Sequence, residues 1–163
     1  MKITYTNSKE YVLMSAEETF LGSLKFEKWS STKAQITTQY GEFFDVASEN
    51  FWSTTIGIKK NDTTYAQLKM NWKGQIVIDL TDNGKGVDYV LKSNSIWKKQ
   101  YVLQDRDENE LLIINADYKW SKWDYEFNIS VNPEFTNVVD ETLVLIATYG
   151  ILYLIMISAA AAS

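Results

Sequence analysis

The stretch that decides the fold is Thr142–Ser163, TLVLIATYGILYLIMISAAAAS, twenty-two residues without a charge in a chain that is 23% charged. Two readings fit it. At least eighteen near-continuous apolar residues suit a transmembrane helix, and a helix apolar on every side is equally a deeply buried core element. The flanks separate the two. A tail anchor carries Lys or Arg at its cytoplasmic edge, yet Asp140 and Glu141 hold the boundary and the nearest upstream cation is Lys122. Thr142, Tyr149 and Tyr153 also share one side of the helical wheel, where hydroxyls could meet polar partners inside a barrel. The expectation is therefore a buried helix over about 138–161, roughly 36 Å long at 1.5 Å per residue. Asn137 is the expected cap, with Asp140 and Glu141 at the positive end of the helix dipole.

Working outward from the helix, everything between Lys2 and Val131 reads as strands. Apolar residues alternate with polar ones over short runs: Ala66, Leu68, Met70 and Trp72; then Ile76, Ile78 and Leu80; then Trp123, Tyr125, Phe127, Ile129 and Val131 against Asp124, Glu126, Asn128 and Ser130. Period two is the signature of a strand with one buried face. Turn residues interrupt the runs at Lys60-Asn61-Asp62, Trp72-Lys73-Gly74, Asp82–Gly86 and Asp105–Glu110, and Asn, Asp and Gly tolerate the left-handed backbone of tight hairpins. The only proline, Pro133, closes the strand region. About twelve strands in a meander are expected, in a single domain spanning 1–163, with strands over 2–131.

The chain repeats itself. Tyr-Val-Leu at Tyr11–Leu13 returns at Tyr101–Leu103, and Lys-Trp-Ser at Lys28–Ser30 returns at Lys119–Ser121. The offsets differ by one residue, so blocks 11–37 and 101–129 read as a duplicated strand unit, with Leu24 opposite Ile114 and Ile36 opposite Phe127. Two related halves of strands followed by one apolar C-terminal helix resemble the tubby C-terminal-like superfamily, which includes tubby proteins, phospholipid scramblases and LURP-one-related proteins. The resemblance implies a closed antiparallel barrel of about twelve strands threaded by the terminal helix. Eight strands leave an interior just filled by their own side chains, so twelve can enclose a helix. Strands of eight to ten residues make a barrel shorter than that helix, so its last turns, AAAAS, should protrude.

Composition excludes whole classes of chemistry. The 163 residues contain no Cys and no His, which removes thiol nucleophiles, imidazole bases and zinc sites built from either. A net charge of −5, from 21 acidic residues against 16 Lys and Arg, argues against nucleic-acid binding. The first residues lack the apolar core of a secretory signal, and the expected location is cytoplasmic. Asp105–Glu110 has neither a Gly nor a bidentate Glu at the spacing of a calcium loop; Asp82–Gly86 lacks phosphate-loop spacing. Both read as hairpin turns, and no residue matches the calcium-binding segment of scramblases. Carboxylates such as Asp117, Asp124 and Glu126 read as solvated faces of strands, so no catalytic, cofactor or metal residue is assigned.

What remains are clusters of Lys and Trp: Lys28 and Trp29 with Lys33; Trp97, Lys98 and Lys99; Lys119 and Trp120 with Lys122 and Trp123. Indole rings sit at the headgroup level of a membrane and ammonium groups meet phosphate. The alternative is Trp packed between strands with Lys stems over it. The function expected is a non-enzymatic binding or adaptor module, its partner a phospholipid headgroup or a protein and its membrane contact peripheral. The competing expectation is a tail-anchored protein with residues 142–163 as the span.

Overall fold

The computed structural model describes every residue except 7, 8, 29, 30, 51, 52, 83, 84 and 96. Twelve strands follow one another around a closed antiparallel barrel: β1 (Lys2–Thr6), β2 (Glu10–Met14), β3 (Phe20–Phe26), β4 (Ala34–Thr38), β5 (Phe43–Ser48), β6 (Ile56–Lys60), β7 (Thr63–Met70), β8 (Ile76–Asp82), β9 (Lys85–Ser95), β10 (Gln100–Gln104), β11 (Glu110–Lys119) and β12 (Asp124–Val131). Each pairs with its neighbours in sequence, and β1 closes on β12 through Lys2 opposite Asn128 and Ile3 opposite Phe127. Closure leaves no unpaired sheet edge.

The strands form because one residue in two finds the interior. Ala66, Leu68, Ile76, Ile78, Phe127 and Ile129 are buried as the alternation requires. Turn chemistry agrees: Asn61 and Asp62, both at positive φ, join β6 to β7 in two residues, the geometry that matches strand twist. Asp105 closes the β10–β11 turn by accepting from the backbone N–H groups of Asp107 and Asn109, both at 2.9 Å, so Asp105–Glu110 is a hairpin turn. The Asp82–Gly86 turn falls partly outside the described residues.

The β2–β3 and β10–β11 hairpins share local geometry. In the β2–β3 turn the Ser15 hydroxyl accepts from Glu17 and Thr19 N–H, as Asp105 does ninety positions later. Glu18 and Glu108 share positive φ, and so do Lys9 and Lys99. The Lys9 carbonyl accepts from Phe26 N–H at 3.0 Å and the Lys99 carbonyl from Ala116 N–H at 3.0 Å. A bulge falls after Leu13 and after Leu103. Leu24, Ile114, Ile36 and Phe127 are all fully buried. The matched hairpins β2–β3 and β10–β11 are eight strands apart along the chain, so the resemblance is carried by hairpins rather than by an even division after β6.

The C-terminal helix α1 (Glu141–Ala161) fills the barrel. It begins three residues later than the sequence predicts. Asp140, not Asn137, caps it, its carboxylate accepting from Leu143 N–H at 2.7 Å. The residues between are used otherwise: Asn132 caps a short 3-10 turn, Pro133–Phe135. Residues Thr142–Ile151 are all buried. Gly150 lets the helix approach β9, since a Cβ there would lie 2.8 Å from Leu91 Cδ2. The last turn, from Ser158 onward, is exposed, as a helix of about 32 Å inside a shorter barrel must be.

Two apolar assignments fail. Trp72 and Trp123 continue the apolar alternation of their runs, yet they are 90% and 72% exposed. Both stand just beyond a strand end, Trp72 after Met70 and Trp123 before Asp124, where pleat alternation no longer directs a side chain.

Candidate functional site

In an antiparallel barrel, alternate connections lie at the same end. The helix enters at the end holding the β4–β5 connection, where Gln39 donates to Glu141 at 3.4 Å. It emerges at the other, where the Tyr149 hydroxyl donates to the Thr32 carbonyl in the β3–β4 connection at 2.7 Å. The six connections at the exit end span 7–9, 27–33, 49–55, 71–75, 96–99 and 120–123.

All four described tryptophans sit in these connections, and all are exposed: Trp72 by 90%, Trp97 by 98%, Trp120 by 74% and Trp123 by 72%. Exposed indoles gathered in one region are costly in water, and Trp is enriched at protein and membrane interfaces. The sequence-predicted residues Trp97, Lys98, Lys99, Lys119 and Trp120 therefore come together at one end, and Lys28 is exposed in the same set of connections. Trp29 lies outside the described residues. Trp123, named in the sequence with Lys122 beside Trp120, is also at this end. The addition that sequence reasoning missed is Trp72; its place in a turn was the available signal, overridden by the alternation.

Charge is sorted between the two ends. The exit connections contain Lys9, Lys28, Lys33, Lys73, Lys98, Lys99 and Lys122 against Glu27 and Glu49 alone. The entry connections contain Glu17, Glu18, Glu42, Asp62, Asp105, Asp107, Glu108, Glu134 and Asp140 against Arg106 and the amino terminus. A net charge of −5 thus conceals a cationic face. Part of that charge is tied down. Lys99 Nζ donates to the Tyr125 hydroxyl at 2.9 Å and lies over the rings of Tyr125 and Tyr118, and Lys119 pairs with Asp117. Lys73 lies over the Trp72 ring, 5.3 Å from its centroid.

Two carboxylates expected on a wet surface are buried. Glu126 receives Lys122 Nζ at 2.7 Å and Lys2 Nζ at 3.3 Å. Asp124 accepts from the Tyr11 hydroxyl at 2.5 Å and from Tyr125 N–H at 2.7 Å. Lys2 and Lys122 cover Glu126, while Asp124, at the first position of β12, turns to the Tyr11 hydroxyl of β2; alternation along one strand reveals neither. Burial first, and the Asp124 carboxylate second, push the Tyr11 phenol far above its ordinary pKa, so it remains the donor in that bond.

Burial raises the Glu126 pKa, but the ammonium groups of Lys122 and Lys2 outweigh it and hold the carboxyl below its usual value. A depressed folded pKa means stability present above the unfolded pKa and lost as pH falls through the folded one. Glu126→Gln should therefore cost about 1.5–3 kcal/mol at neutral pH, nearer the lower figure because both ammonium groups are partly in water. Urea melts should show that difference shrinking below about pH 4.3, the ordinary glutamate value. A pH-independent difference would show that the ion pairs are not its source.

Comparison with protein-family models, with curated proteins and with solved structures finds no match to this chain. Functional inference therefore rests on the geometry of the exit end.

Proposed function

We propose that the chain is a tubby-like barrel acting as a non-enzymatic binding module that docks on anionic phospholipid headgroups through its exit end. The carrying observation is the coincidence there of four exposed tryptophans, seven connection lysines and the apolar end of α1. Lysines draw the face to a negative surface, at roughly 1 kcal/mol each near the membrane. Indoles then settle at headgroup level. The acidic entry end is repelled, so charge also orients the barrel.

The emergent helix supports docking rather than spanning. The helix is long and apolar enough to cross a membrane by length and composition, with half of its most apolar window buried. With Thr142–Ile151 held inside the barrel, Leu152–Ala161 extends about 15 Å, half of a hydrocarbon core of about 30 Å. A span would require emptying the barrel of its core. The contact is peripheral, and the cytoplasm, where anionic lipid faces inward, is the matching compartment.

Flotation with vesicles tests this. Binding to phosphatidylserine-containing vesicles should be strong at low salt, fall as salt rises and be weak for neutral vesicles. Changing Lys73 and Lys98 together to Glu should weaken binding about tenfold or more with an unchanged melt; Lys99 is avoided because its ammonium is bonded to Tyr125. Salt-independent or absent binding at low salt would leave a protein as the partner of this face.

A further inference from the structure

A cavity of about 240 Å³ opens at the exit end beside the emerging helix. Barrel residues Tyr11, Phe26, Trp123 and Tyr125 form one side, and Tyr149 and Tyr153 of α1 the other. The rings stand at different angles. Tyr11 meets Phe26 edge-on at 77°, with centroids 6.1 Å apart, whereas Tyr149 lies nearly parallel to both Phe26 and Tyr153. Asp124 also lines the cavity, only 8% exposed. Both of its hydrogen bonds fall on Oδ1, so its second oxygen carries neither. Lys9 lines the same cavity.

We propose that this cavity is a binding site for a quaternary ammonium group, with phosphocholine as the ligand class: the aromatic walls and the Asp124 carboxylate take the trimethylammonium, and Lys9 takes the phosphate. A trimethylammonium has no N–H to satisfy, so it is recognised by ring faces and a nearby negative charge rather than by hydrogen bonds. Asp124 supplies that negative charge in the cavity lining. The zwitterion is the matching ligand because anion and cation partners, Lys9 and Asp124, line one cavity. Trp123 completes the wall from the last position of the β11–β12 turn, in the left-handed conformation that Lys9 and Lys99 also adopt just before a strand. The site goes beyond the docking reading and does not depend on it, since a soluble choline ester can enter from water.

The full-length chain is titrated, at constant ionic strength, with tetramethylammonium, ammonium, choline, phosphocholine and the uncharged carbon isostere of choline, following tryptophan fluorescence and indole NMR shifts. Expected is saturable binding of tetramethylammonium and choline, about tenfold or more tighter than ammonium and the isostere, with phosphocholine tighter than choline. Trp123→Ala should weaken choline about tenfold without moving the melt, because that ring is largely exposed. Lys9→Ala should erase the advantage of phosphocholine over choline and leave tetramethylammonium unchanged. Asp124→Asn, which keeps an acceptor for Tyr11, should abolish cation preference; should it unfold, the other two variants carry the test. At equal phosphatidylserine content, tighter binding to vesicles whose neutral lipid is phosphatidylcholine rather than phosphatidylethanolamine, an advantage removed by free phosphocholine, would assign the ligand to lipid; choline binding without that advantage would assign it to a free choline ester. Equal response to choline and its isostere, or to tetramethylammonium and ammonium, would overturn the proposal. Tighter binding of a trimethyllysine peptide than of phosphocholine would overturn the choline assignment.

Discussion

Deleting Thr142–Ser163 should abolish folding. The segment supplies six large side chains that are almost fully buried, Leu143, Val144, Leu145, Ile146, Tyr149 and Ile151. At roughly 1.5–3 kcal/mol each they contribute about 9–18 kcal/mol, as much as the whole stability of a domain, about 5–15 kcal/mol. Residues 1–141 alone would be a twelve-strand barrel around an empty lumen, with Leu24, Ile36, Leu68 and Leu91 facing water. The truncated chain should aggregate or lose its cooperative melt, while the full-length chain melts cooperatively without detergent. A shorter deletion, Ser158–Ser163, removes only exposed residues and should move the midpoint little. A soluble truncation at residue 141 with a sharp melt would refute the core role of the helix.

The second large effect is expected at Gly22 in β3. A Cβ there would lie 2.7 Å from the Thr37 carbonyl oxygen and 2.9 Å from Leu145 Cδ1. The first obstacle is backbone of β4, whose partners Gly22 and Thr38 are in register, so relief requires opening the ladder or displacing the helix. Gly22→Ala should cost about 3 kcal/mol, the upper end for overpacking. Gly150→Ala is the contrast: its nearest obstacle is the far end of the Leu91 side chain, which can rotate away, and Ala gains about 1 kcal/mol of helix propensity over Gly. Its net effect should stay within about 1 kcal/mol of zero. Urea denaturation of the two variants side by side checks both, and equal effects would contradict the close contact of β3 with the helix.

Several of these features follow from sequence alone, for reasons local to a few residues. A strand alternates because adjacent side chains point to opposite faces, so Leu68, Ile78 and Phe127 declare their burial without reference to distant residues. The uncharged C-terminal segment implies a helix covered on every side, and the acids Asp140 and Glu141 at its edge favour the protein interior over a membrane as the cover. The repeated Tyr-Val-Leu marks hairpins whose turns and bulges recur because the same local geometry is demanded twice. Clusters such as Trp97-Lys98-Lys99 also stand out, since Trp next to Lys within a turn is unusual in a packed interior.

Only the tertiary structure decided what closure brings together. Asp124 and Tyr11 are 113 positions apart, and neither reveals in its own strand that β1 and β2 close against β12. Alternation assigns Asp124 and Glu126 to the wet face, but Lys2 and Lys122 cover Glu126 and Asp124 is held by the Tyr11 hydroxyl at the exit-end cavity, so both are buried. Trp72 and Trp123 fit the alternation and are nonetheless exposed, because control of side-chain direction ends where the ladder ends. The cationic exit end is likewise invisible to net charge: lysines spread from Lys9 to Lys122 converge only because alternate connections of an antiparallel barrel share an end.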